Sequence, residues 1–171
     1  TDFLTACTLL AAYDKGGTVS CKKKDVLNLQ LADYQKYADI LTQGFEEAEN
    51  LLAEERIFVS RDLPYTTQLI PLAVLCALLL PDHRIKQSNV KTKIKQWYWC
   101  GVFGELYGSA NETRYVNTSH WIDMDDCIAD NFEQFIINRA KKILEAISSA
   151  TGKPISGRDS DEVKQKFGDF I

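Results

Sequence analysis

Apolar residues recur along most of this chain at the three-to-four-residue spacing of buried helix faces, and no stretch shows the strict alternation of a half-buried strand. Phe3, Leu4, Cys7, Leu10 and Ala11 mark a short first helix, ended by Gly16 and Gly17, which tolerate positive φ. A polar connection over residues 20–25 follows, and Val26 to Leu29 read as an extended crossing. Residues 33–56 give the clearest helix: Tyr34, Tyr37, Ile40, Leu41, Phe45, Ala48, Leu51 and Leu52 form one stripe, and glutamates fill much of the remainder. Gly44 within that stripe predicts another helix crossing closely.

Asp62 before Leu63 and Pro64 predicts an N-cap and an early-turn proline for an apolar helix, which Pro71 should kink and Pro81 should stop. Ser88 is expected to cap a helix running to about residue 107, apolar nearly all round through Ile94, Trp97, Tyr98, Gly101, Val102 and Leu106. Beyond it, Asp130 caps a stripe of Phe132, Phe135, Ile136, Ala140, Ile143, Leu144 and Ile147, stopped by Gly152. A short last helix from Ser160 turns Val163, Phe167 and Phe170 inward. The fold class is therefore all-α, an irregular bundle of five or six helices with a central aromatic-rich helix.

With 171 residues, a single domain can bury roughly 70% of its unfolded surface. The longest apolar run, residues 69–80, contains Pro71 and falls short of the roughly 20 residues that span a bilayer, so it reads as a core helix and no membrane partner is expected. Cys7, Cys21, Cys76, Cys100 and Cys127 are odd in number, widely spaced and free of any C-x-x-C pair, which fits reduced thiols in the cytoplasm. A formal net charge of −4 leaves no general nucleic-acid footprint, so DNA contact would need a local basic patch.

One such patch exists. Arg84, Lys86, Lys91, Lys93 and Lys95 lead into Trp97-Tyr98-Trp99, where cations could neutralise phosphates and a ring could stack on a base. The same pattern also describes a solvated helix face beside a core stripe, because Lys91 and Lys95 are four residues apart and the tryptophans have core spacing. Arg61, Asp62, Glu112 and Arg114 suggest an ion-paired network between loops that fixes geometry. No catalytic constellation is legible. His83 and His120 lack partners in sequence, Asp123, Asp125 and Asp126 lack the glycine and distal glutamate of a calcium loop, and Gly101-Val-Phe-Gly104 lies inside a helical pattern.

The least generic stretches are Arg61-Asp-Leu-Pro-Tyr-Thr-Thr-Gln-Leu-Ile-Pro-Leu-Ala73, Lys95-Gln-Trp-Tyr-Trp-Cys-Gly-Val-Phe-Gly-Glu-Leu-Tyr-Gly108 and Glu112-Thr-Arg-Tyr115. Together they resemble the helical middle of GmrSD-type proteins, a family of modification-dependent restriction endonucleases. In that family a ParB-like nucleotide-hydrolysing domain comes first and an HNH-type nuclease lies towards the end. Ser119-His-Trp-Ile-Asp-Met-Asp125, Asn131-Phe-Glu-Gln-Phe-Ile136, Arg139 and Ala150-Thr-Gly-Lys153 are similar to the segment that follows the nuclease, so a join is expected near residues 117–120. The resemblance implies a non-catalytic helical scaffold of a phage-defence protein, with ParB-like and HNH domains as its partners in the same protein. It implies no cofactor within these residues, and a nucleotide and a divalent metal in the parent protein. Trp97 and Trp99 are the candidate coupling residues. The alternative is a DNA-binding module built on residues 84–95.

Overall fold

In a computed structural model, which describes residues 1–16 and 20–108, the helices are α1 (Asp2–Asp14), α2 (Lys23–Leu27), α3 (Leu31–Glu54), α4 (Leu69–Leu79) and α5 (Ser88–Phe103). Short 3-10 turns occupy Ser60–Asp62, Thr66–Gln68 and Arg84–Lys86, and no strand occurs among the described residues. The chain is all-α, as its periodicity requires. The last two helices expected from the sequence, the Asp123 to Asp126 turn, His120 and the join near 117–120 lie outside the described residues.

α4 has no polar side chain and is buried from Ile70 through Ala77 and again at Leu79, so it forms the axis of the bundle. It packs chiefly on α3 and α1. The α3 stripe turns Tyr37, Leu41, Ala48, Leu51 and Leu52 into the core, while Tyr34 stays partly exposed. A Cβ placed on Gly44 would lie 2.5 Å from the Ala73 carbonyl oxygen and 2.8 Å from Ala77 Cβ. The expected close crossing is therefore that of α3 on α4. At the start of α3, Tyr37 and Lys36 both donate to the Asp14 carboxylate and Lys15 pairs with Asp33 at 2.7 Å, which ties the end of α1 to α3. Gly16, at φ +66°, takes the left-handed turn expected of it.

Four expectations are corrected. Residues 23–27 form α2 where an extended crossing was expected to begin, because the Asp25 carboxylate caps the turn by accepting from the Lys22 N–H at 3.0 Å and from Ser20 Oγ at 2.6 Å. Asp62 caps no helix, since Leu63 before Pro64 is extended and the helical path resumes only at Thr66. Pro71 falls in the first turn of α4, where its missing N–H would have had no partner within the helix, and the reason for a kink disappears. α5 stops at Phe103, earlier than its apolar pattern suggests. Glu105 adopts φ +57°, and the Leu106 and Glu105 N–H groups close on the Gly101 and Val102 carbonyls.

Among the described residues no helix is long and apolar enough to cross a membrane. Cys7, Cys21, Cys76 and Cys100 are free thiols, the first three buried. Burial pushes the Cys76 thiol well above its ordinary range.

Candidate functional site

Glu54 and Glu55 stand at the C-terminal end of α3, where the helix dipole disfavours anions and no basic residue of the same last turn offsets them. The missing cations come from α5. Lys91 and Lys95, one helical turn apart, face the same way and reach back across the bundle. Lys91 Nζ lies 2.7 Å from Glu54, and Lys95 Nζ lies 2.9 Å from both Glu54 and Glu55. One turn further on, Trp99 Nε1 donates to Glu55 at 2.9 Å, and the Trp99 ring stacks on Phe103 at 5.7 Å. Positions 91, 95, 99 and 103 thus form a stripe at i, i+4 spacing along one side of α5, and its first three members bind the end of α3.

The electrostatics follow from this seam. Hydrogen bonds from Lys91 and Lys95 hold the Glu54 carboxyl below its usual range, and Lys95, then Trp99, do the same for Glu55. Lys95 is raised in turn, first by Glu55 and then by Glu54. A depressed carboxylate stabilises the fold above its unfolded pKa of about 4.3 and loses that contribution as pH falls through the lower folded value. All four charged side chains keep solvent contact, which restricts a pair of this kind to about 0.2–1 kcal/mol. Lys95→Met should therefore lower stability by about 0.5–1 kcal/mol at pH 7, measured by urea unfolding. The gap from the parent protein should close as pH falls below about 4. A gap as wide at pH 3 as at pH 7 would assign the loss to packing.

The sequence-derived candidates are divided by this geometry. Lys91 and Lys95 belong to the seam. Arg84 lies in the preceding turn with Nε 3.7 Å from Asp82, Lys86 is exposed beside it, and Lys93 is half-buried on α5. Trp97 is fully buried and presents no face to a nucleic-acid base, whereas half-buried Trp99 sits in the seam. Tyr98 is buried, its hydroxyl has no hydrogen-bond partner among the described residues, and burial pushes it up to about 12. Arg61 and Asp62 approach each other at 3.7 Å on the surface, and their suggested companions Glu112 and Arg114 lie outside the described residues.

Sequence reasoning overlooked three participants. Glu54 and Glu55 carried one signal, a carboxylate pair in the last turn of a helix, with Arg56 alone beside it. Gln68 carried none, yet it is fully buried, donates to the Tyr98 carbonyl at 2.9 Å and fills the space that a Cβ on Gly101 would take. That accounts for Gly101 by close packing. Among the described residues no three His, Cys, Asp or Glu side chains gather as a metal site requires. Comparison of the chain with protein-family models, curated proteins and solved structures finds no match.

Proposed function

We propose that this helical body is a scaffold that couples neighbouring modules of a GmrSD-type DNA-targeting restriction protein and carries out no chemistry itself. The nucleotide and the divalent ion act in the ParB-like and HNH modules, and the bundle passes a change of state between them. The observation that carries this reading is the seam between α3 and α5. A coupling element needs two arrangements of similar free energy. Partly solvated ion pairs can be exchanged for water at little net cost, whereas α3 and α4 meet so closely at Gly44 that even a Cβ there would stand 2.5 Å from the Ala73 carbonyl oxygen. The seam is therefore where the solvated side of α5 can exchange partners, while Trp97 and the Gln68 bond to the Tyr98 carbonyl hold its buried side in the core.

The DNA-binding alternative is less well supported, because Lys91 and Lys95 are already neutralised by Glu54 and Glu55 and Trp97 is enclosed. The test uses the intact protein. Trp99→Phe keeps a ring against Phe103 and removes only the bond to Glu55, so the loss of stability should stay near 1 kcal/mol. Nucleotide hydrolysis is expected to persist while nucleotide-dependent DNA cleavage falls by about fivefold or more, the scale of an ordinary coupling free energy. An unchanged ratio of the two activities in a folded variant would sink the proposal.

A further inference from the structure

Lys91, Lys95, Trp99 and Phe103 follow one another at i, i+4 spacing on α5, a stripe about 18 Å long. Its cations are matched by anions, since Lys91 pairs with Glu54 and Lys95 bridges Glu54 and Glu55. Its aromatics are not explained by burial in the same way. Phe103 is 58% exposed, and its ring lies on that of Trp99 at 5.7 Å and 23°, so the stack ends at the surface. Ammonium groups leading into stacked rings are the parts with which proteins hold a single nucleic-acid strand, cations for the phosphates and ring faces for the bases. What closes the stripe is a pair of carboxylates supplied by the end of α3.

We infer that the seam is an autoinhibited site for a single-stranded nucleic acid, in which Glu54 and Glu55 stand in for two backbone phosphates on Lys91 and Lys95. The exchange is between like groups, because a phosphate accepts from an ammonium as a carboxylate does. The four charged side chains keep between 26% and 42% of their surface in water, so a strand reaches them without opening the core. The aromatic pair selects the ligand. A duplex covers its base faces by stacking and a run of glutamates has no ring, whereas an unpaired base can extend the stack of Trp99 and Phe103. The inference deepens the proposed function and rests on its premise that the seam exchanges partners. The two fail separately, since the ratio of activities reports coupling and strand affinity reports capture.

Fluorescence anisotropy of a labelled oligothymidylate tests it on the full chain. Glu54→Gln/Glu55→Gln is expected to bind at least about tenfold tighter than the parent, with a log–log salt slope steeper by about 1.4, the share of two phosphate contacts. Glu54→Gln alone, which releases Lys91, should give part of the gain, and it decides the case if the double variant does not fold. Adding Lys95→Gln to the double variant should remove about half of the extra slope. Adding Phe103→Ala should cost about fivefold or more in affinity with the slope unchanged. Glu46→Gln/Glu49→Gln makes the same change of net charge at exposed positions of α3 and should bind no better than the parent. Equal affinity of the parent and the folded Glu54 and Glu55 variants would overturn the inference. So would a gain reproduced by Glu46→Gln/Glu49→Gln, or hexaglutamate bound as tightly as the oligonucleotide.

Discussion

Trp97→Ala should destabilise the bundle by about 3–5 kcal/mol, enough to consume much of the stability of a domain this size. The indole is completely enclosed and meets the Tyr107 ring edge to face at 6.3 Å. Ile94 and Tyr98 on the same face of α5 are buried with it. Removing the ring leaves a cavity between α5 and the rest of the core, which close-packed neighbours fill only in part. Urea unfolding followed by circular dichroism measures the loss without relying on the deleted fluorophore. A change below about 1 kcal/mol would mean that the ring does not lie in the core.

The second large effect has a sign that is itself diagnostic. On an exposed helix, Gly→Ala stabilises by up to about 1 kcal/mol. Gly44→Ala should instead destabilise by about 1–3 kcal/mol, because the new methyl would stand 2.5 Å from a backbone oxygen of α4 and force the two helices apart. Thermal unfolding decides it, and a raised melting temperature would show that α3 and α4 do not cross there.

Both residues stood out in the sequence, Gly44 as a glycine inside an apolar stripe and Trp97 as an aromatic with core spacing. Patterns carried by one helix are legible because the helix repeats its own geometry. Trp99 shows where this fails. Two residues from Trp97, it points to a different side of α5, and only its bond to Glu55, 44 residues earlier in the chain, shows what that side faces. The Lys91 and Lys95 cations were visible while their partners were not, for the same reason of separation along the chain. Helix ends misled differently. α3 and α5 both close on a left-handed residue after the last turn, but these are Arg56 and Glu105 where the usual signal is glycine. α2 depends on the Asp25 cap and has no buried residue of its own, so no apolar period marks it.

The composition of α4 also governs how the chain reaches its fold. An eleven-residue helix without a polar side chain has no solvent-compatible face, and a helix that short is marginal in water even with favourable residues. It can persist only when α1 and α3 already surround it, so the described helices should assemble in one all-or-none step with no stable half-built bundle. Any species that opens around α4, during synthesis or under heat, presents a sticky apolar segment without a single charge to keep molecules apart. Heating should therefore end in aggregation of the opened chain, so that the loss of structure does not reverse on cooling.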